Sequence, residues 1–356
     1  MGVFEAIASH EQVVFGVDPA SGLRTIIAIH STALGPALGG TRFHPYDSEE
    51  AALDDVLRLS EGMTLKSAAA GLDLGGGKAV IIGDPRTMKS ERLFRAYGRL
   101  VDSLGGRYIT AEDVGTTTED MVLIARETPF VTGLPLAHGG SGDPSPATAR
   151  GVVAAQQAVA ERLWGTRDLG GKTVAIQGVG KVGTNLAERL HALGAELIVA
   201  DVDPAATRRA ANRFGAKVVD LDEIYEVECD IFAPCALGGI LDESTIPRLR
   251  AQAVCGSANN QLATDEDAER LEGRGILYAP DFVVNAGGVI NIAVEMEGYS
   301  EARAAAMVDR IYENLRRVFT IADEERINPH EAAVRLARRR IDEIGTLRLR
   351  QRRDRA

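Results

Sequence analysis

The segment Gly178-Val179-Gly180-Lys181-Val182-Gly183 constrains this chain more than any other stretch, because it directly follows the apolar run KTVAIQ and opens VGTNLAERLHALG, which closes at Gly194. A strand that must turn at once into a helix needs residues without a Cβ: one glycine for the tight turn, one to let backbone amides approach a ligand, one for close helix–strand packing. The first amides of such a helix, with its dipole, favour a phosphate anion. Gly178, Val179, Gly180, Lys181, Val182, Gly183 and Thr184 are therefore expected to line a pyrophosphate. Three glycines alone are a weak signal, and a purely structural turn is the competing explanation. The next run, ELIVA, ends at Asp201, 18 residues beyond Gly183, close to the spacing of about 20 at which a carboxylate meets the adenosine ribose hydroxyls. A carboxylate there repels a 2′-phosphate, so the expected cofactor is NAD rather than NADP, with Asp203 as a second candidate for the same role.

Around this turn the text alternates strand and helix. TVAIQ, ELIVA, AKVV, CDIFAP, AVCG and GILYA read as six strands with helical text between most of them, the pattern of a parallel, doubly wound Rossmann sheet. Its entry is a loop, GGSGDPSP, then a helix with Ser145 as N-cap, Pro146 at the first helical position and Gly165 just past the end. Upstream, VVFGVDPASGLRTIIAIH predicts a hairpin turning at Asp18 to Gly22; Ser48 with Glu49 and Glu50 predicts a helix start, and KAVIIG and RYITA predict further strands. The fold class is α/β with two domains: an N-terminal α/β domain over 1–140 and the nucleotide-binding domain over 141–328, with a cleft between them. Two helical stretches, roughly Ser300 to Asp323 and Pro329 to Ile344, close the chain, and the helices of about 329–356 are expected to pack back on the first domain.

Composition removes several classes. With a net charge of -11 over 356 residues, the chain lacks the surplus of Lys and Arg that a nucleic-acid partner requires. The Arg-rich stretch from Arg338 to Arg355 reads as a solvated helix face and a frayed tail, and carries no assigned function. Cys229, Cys235 and Cys255 are too few and too irregular for a disulfide framework and read as buried thiols. Glu5 and Glu11 sit where a signal peptide would be basic then apolar, and Ala6 breaks the myristoylation pattern after Gly2. The most apolar run, Val283 to Val294, is interrupted by Asn285 and Asn291, short of a membrane span. No membrane partner and a cytoplasmic setting are expected. The six histidines show no ligand spacing, so no metal is expected.

Chemistry concentrates in the first domain at two lysines, Lys66 in GMTLKSAAAG and Lys78 in LDLGGGKAVIIGDP. Lysines are ordinarily surface residues. One flanked by three glycines and an apolar strand can be partly buried, and a second lysine nearby would help it act as a base near neutral pH. Here the sequence resembles the glutamate, leucine, phenylalanine and valine dehydrogenase family: Leu72 to Pro85 matches that family's signature, including Gly75, Gly76, Lys78, Val80, Asp84 and Pro85. ALGGTRF, GRYITAEDVGT, GVGKVG, APCALGG, GSANNQ and APDFVVNAGGVIN extend the resemblance over nearly the whole chain, which looks most like the family's bacterial leucine and valine members.

The resemblance implies that Lys66 holds the substrate α-carboxylate, that Lys78 activates water and polarises the carbonyl, and that Asp113 exchanges the proton of the amino group. It implies Asn260 beside the substrate carboxylate, Gly39 at the substrate, and Thr148 and Asn285 beside the nicotinamide. It further implies an N-terminal substrate and oligomerisation domain, a homo-oligomer (dimer or octamer), and reversible deamination of an amino acid to a 2-oxo acid and ammonia. Glutamate-specific members typically carry a lysine before the Gly-Gly of ALGGTRF; this chain has Leu38. Leu38, Ala111, Val289 and Ile292 are the expected walls of an apolar pocket for leucine, valine or isoleucine. Phenylalanine stays open as a substrate. A non-catalytic NAD-binding sensor is the alternative from another class, and retention of Lys66, Lys78 and Asp113 together speaks against it.

Overall fold

Gly22, at φ +75°, closes the expected hairpin between β1 (Gln12–Asp18) and β2 (Leu23–Ser31), which pair antiparallel. In this computed structural model, which describes Glu5, Ile7 and residues 9–353, the chain divides into two units. The first runs to Asp143 and includes Ile292–Glu301 and the helix from Ala337 onward; the second holds Pro144–Asn291 and Ala302–Leu336. Gly2, Ala6 and Arg355, on which earlier expectations rest, lie outside the described residues.

The first unit is a sheet in the order β1-β2-β4-β3-β5, with β3 at Ala37–His44, β4 at Gly75–Ile82 and β5 at Tyr108–Glu112. β4 runs antiparallel to β2 and parallel to β3, which is parallel to β5. Side chains alternate across a strand, and both faces are apolar. One face sends Ile27, Ile29, Phe43, Ala79, Ile81 and Tyr108 into a core with Leu93, Phe94, Tyr97 and Val101 of the helix Glu91–Asp102. The other sends Ile26, Ala28 and Val80 against Ala52, Val56 and Leu57 of the helix Glu49–Ala69. That helix starts as expected, with the Ser48 side chain accepting from Ala51 N and two acids in the first turn.

β3 is the strand that the sequence did not announce, since paired glycines disfavour a strand interior. The reason they stand there is steric. A Cβ at Gly39 would lie 1.7 Å from Gly77 O, and one at Gly40 2.5 Å from Glu112 O. Gly39→Ala is expected to cost about 3 kcal/mol or more of stability in urea unfolding, since backbone and not a yielding side chain blocks the methyl. Gly62→Ala, whose Cβ meets nothing within 4 Å inside the helix, should gain up to about 1 kcal/mol. Equal effects at the two positions would contradict this account of β3.

The second unit is the six-stranded parallel sheet, order β11-β10-β9-β6-β7-β8, built from β6 (Thr173–Gln177), β7 (Glu196–Ala200), β8 (Lys217–Val218), β9 (Glu228–Pro234), β10 (Arg250–Val254) and β11 (Leu277–Tyr278). The strand order reverses between β6 and β9, which is where dinucleotides bind in such sheets. One expectation moves by a residue: the entry helix is Ser145–Trp164, so Pro144 holds the N-cap position and Ser145 the first helical one. Pro144 offers no side-chain acceptor, so this helix starts without a side-chain cap. Gly165 ends it at φ +73°. The stretch from Ser300 is two helices, Glu301–Asp309 and Ile311–Glu325, and the last helix extends from Pro329 to Arg353, well past Ile344. Arg340, read as solvated, instead pairs with Asp73 at 2.9 Å and donates to Gly71 O. Cys229 and Cys255 are buried and Cys235 half-buried, all free; burial pushes the Cys229 thiol up to about 12. Among the described residues no helix is long and apolar enough to cross a membrane.

Candidate active site

Lys78 sits in mid-strand on β4, paired with Ala28 of β2, and is only 5% exposed. Alternation turns it to the same sheet face as Leu38 and Arg42 on β3 and Ile109 and Ala111 on β5. Asp113 follows β5 directly and reaches that face too: Lys78 Nζ lies 2.7 Å from Asp113 Oδ1. The carboxylate's other oxygen, Oδ2, accepts from Arg42 Nε at 3.0 Å. Burial pushes the Asp113 carboxyl upward, but the charges of Lys78 and Arg42 and their hydrogen bonds outweigh it and hold it below the usual carboxylate range. The turn carrying Asp113 is tied to β3: Asp113 N donates to Thr116 Oγ1, Thr116 Oγ1 donates to Thr41 O, and Phe43 N donates to Val114 O.

The glycine run before Lys78 is the opening of β4, and each member is forced by a neighbour. A Cβ would lie 1.9 Å from Ser31 O at Gly75, 2.1 Å from Thr64 N at Gly76, and 2.7 Å from the Tyr108 ring at Gly77. Thr64, two residues before Lys66, therefore lies against Gly76, two residues before Lys78. Lys66 is half-buried in the last turn of its helix. Leu38 is fully buried, in register with Gly76 and Ile109, and Ala111 is 3% exposed beside Gly40. Ile292, in the first unit, accepts from Thr132 Oγ1 through its carbonyl, at 2.9 Å.

The remaining candidates belong to the second unit. Gly178, at φ +97°, leaves β6, and a Cβ on Gly183 would lie 1.9 Å from Gly178 O. Gly180 caps the helix Lys181–Ala192 without a side-chain bond, and a Cβ there would point into open space. Thr184 Oγ1 donates to Val179 O, and Val179 N donates to Asp201 Oδ2 at 2.7 Å. Asp203 instead caps the next helix, accepting from Ala205 N. Thr148 approaches Gly288 so closely that a Cβ there would be 2.9 Å from Thr148 Oγ1. Val289 follows in the same helix, 6% exposed. Asn260 is exposed, at φ +51°, with its carbonyl accepting from Gly239 N.

Several residues beyond the expected set stand out. Gln156 and Gln261 join Asn285, already a candidate, in donating side-chain amides to the carbonyls of Cys255, Gly256, Ser257 and Ala258, fixing the loop that precedes Asn260. Glu295 accepts from Gly133 N, Leu134 N, Ser141 N and Ser141 Oγ, anchoring the end of the helix that carries Ile292. Arg42 holds Asp113. The only sequence signal for any of these was membership of a motif, as with Arg42 in ALGGTRF, since Arg42 meets Asp113 71 residues further on and Glu295 meets partners 154 to 162 residues away.

Residues 10–130 match the Glu/Leu/Phe/Val dehydrogenase dimerisation domain, residues 202–348 the glutamate/leucine/phenylalanine/valine dehydrogenase domain, and residues 146–238 the NAD-binding domain of D-isomer-specific 2-hydroxyacid dehydrogenases. The chain is 55% identical over 333 residues to a leucine dehydrogenase of Geobacillus stearothermophilus, covering 94% of this chain and 91% of that one. With a phenylalanine dehydrogenase of Lysinibacillus sphaericus the identity is 51% over 345 residues, covering 96% and 91%. Among solved structures, L-tryptophan dehydrogenase from Nostoc punctiforme superposes with a TM-score of 0.85 at 47% identity, over 96% of this chain and 99% of that one.

Proposed function

The chain belongs to the Glu/Leu/Phe/Val dehydrogenase family, and we propose that it catalyses the reversible, NAD-dependent oxidative deamination of branched-chain L-amino acids to 2-oxo acids and ammonia. The observation that carries the chemistry is the 2.7 Å pair of Lys78 and Asp113, set on a sheet face that also holds the buried Leu38 and Ala111. A nicotinamide, when bound, accepts the hydride that leaves the substrate Cα. Asp113, an ionised carboxylate, takes the proton from the substrate ammonium. Lys78 orients and activates the water that adds to the resulting imine carbon, and polarises the carbonyl oxygen in the reverse direction. Lys66 and Asn260 hold the α-carboxylate; Leu38, Ala111, Val289 and Ile292 contact the side chain, beside Gly39.

The second unit's residues suit a dinucleotide. The helix at Lys181 opens without a side-chain cap and with open space at Gly180, as a pyrophosphate needs. Among the described residues Asn285 Oδ1 is buried without a hydrogen-bond partner, an acceptor matched to a carboxamide N–H and close in sequence to Gly288, which packs against Thr148. Asp201 spends one lone pair of each oxygen on Val179 N and Asp203 N and keeps others for ribose hydroxyls. Asp201→Ser should therefore narrow the preference for NAD over NADP by at least about tenfold in kcat/KM, having removed both the repulsion and the ribose bond. A wild type that prefers NADP would overturn this assignment.

A homo-oligomer, dimer or octamer, goes with the family's dimerisation domain, and with Phe15 and Val17 standing 57% and 72% exposed on the edge strand β1; a cytoplasmic setting goes with the small-molecule substrates. Initial rates with leucine, valine, isoleucine, phenylalanine and glutamate test the reading as a whole. Preference for phenylalanine would move the chain to another branch of the family, and no turnover with any amino acid would leave a nucleotide sensor.

A further inference from the structure

We propose that Arg42, anchored by Asp55 and Tyr46, is a positioning residue of the amino-acid dehydrogenase reaction, fixing one oxygen of the Asp113 carboxylate so that the other is presented for proton exchange. This rests on the assignment of Asp113 above. Its geometric basis is a continuous relay on one sheet face. Asp113 Oδ2 accepts from Arg42 Nε at 3.0 Å; Arg42 Nη1 donates to Asp55 Oδ2 at 2.7 Å; that same oxygen accepts from Tyr46 Oη at 2.7 Å, while Asp55 Oδ1 accepts from Arg58 at 3.2 Å. The guanidinium is planar and permanently charged, so two of its edges fixed by two carboxylates leave it one orientation. Arg42, Asp55 and Asp113 are 24%, 13% and 21% exposed at their side chains, which sets the relay apart from a solvated surface pair of negligible worth.

The two oxygens of Asp113 then have different tasks. Oδ1 faces Lys78, whose ammonium must turn to water and substrate during turnover; Oδ2 faces a cation with no chemistry to perform. While Lys78 is engaged elsewhere, Arg42 alone opposes the burial that would otherwise protonate the carboxylate. The charged groups bearing on Asp113 are Lys78 from β4 and Arg42 from β3. Behind Arg42 stand Asp55 and Arg58 of the helix Glu49–Ala69, and Tyr46, whose hydroxyl burial and Asp55 push upward so that it stays a donor. Glu112, next to Asp113, falls on the opposite sheet face by alternation.

Removing Arg42 therefore raises the pH at which Asp113 becomes ionised, and deamination needs it ionised. In Arg42→Gln the acid limb of the kcat/KM profile for leucine is expected to move up by about 1 to 3 pH units, with kcat on the alkaline plateau recovering to within a few-fold of wild type. Arg42→Lys, which keeps charge without the fork, should return part of the shift. Asp55→Asn, which leaves Arg42 in place but unanchored, should move the limb in the same direction by less, and carries the test if Arg42→Gln does not fold. A limb unmoved in the folded variants, with activity lowered by one factor at every pH, would overturn the inference and leave Arg42 a structural arginine. Asp113→Asn separates the two levels: if it keeps wild-type turnover, the assignment of Asp113 falls, whereas a dead Asp113→Asn beside an unmoved limb refutes the role of Arg42 alone.

Discussion

Lys78→Ala is expected to lower kcat for leucine by about 100- to 10,000-fold, the range over which a positioned acid–base group contributes, while NADH binding stays at its wild-type strength. The two halves of this expectation come from different parts of the chain. Lys78 is held in the middle of β4 in the first unit, whereas the Gly178–Thr184 turn and Asp201 lie in the second. Truncation removes the ammonium but not the strand: β4 is fixed by the glycine contacts at positions 75 to 77 and by its ladders to β2 and β3. Asp113 keeps its Arg42 partner, so no carboxylate is stranded alone, and the variant should fold. Fluorescence titration with NADH and rapid kinetics with leucine measure the two quantities separately. Wild-type kcat in the variant would remove Lys78 from the chemistry; lost NADH binding would mean that the substitution disturbs far more than one amine.

The parts of this fold that were legible from sequence are those with local causes. The hairpin turn at Gly22, the Ser48 cap, the alternation of six strands and the glycine turn after β6 all state themselves within a few residues. β3 did not, because the glycines that define it answer to Gly77 and Glu112, residues brought close only when the sheet forms. The same holds at the site. Lys78 and Asp113 were marked by their surroundings and by resemblance, but that they meet at 2.7 Å depends on two parallel pairings across β3. Glu295, the Gln156 amide and the bond of Arg42 to Asp113 act through partners 71 or more residues away in sequence, so no local pattern could have assigned them. The displaced cap at Ser145 is a smaller matter: Pro at N1 and Ser before it is a sound start signal, and the helix begins one residue earlier.

Wild-type enzyme is expected to discriminate against glutamate, relative to leucine, by about a thousandfold or more in kcat/KM. Leu38 supplies the reason. It is fully buried on the face of Lys78, between Gly76 of β4 and Ile109 of β5, with Ala111 close by on the same strand. A γ-carboxylate delivered against these groups would lose its water and gain no partner, at a cost of several kcal/mol, and each 1.36 kcal/mol is tenfold in rate. Leucine, valine and isoleucine differ by a methylene or its position, worth about 1 to 3 kcal/mol, so all three should be accepted with modest ratios. Leu38→Lys should cut branched-chain activity sharply. Its neighbours on β4 and β5 are a glycine and an isoleucine, which offer the new ammonium no acceptor side chain. Gain of glutamate activity is not expected from this change alone, since a charge placed without its supporting polar shell does not make a working site. Steady-state rates of wild type and variant with the four amino acids decide the matter: a wild type that prefers glutamate, or a Leu38→Lys variant with unaltered leucine and valine kinetics, would take Leu38 out of the substrate pocket and the branched-chain assignment with it.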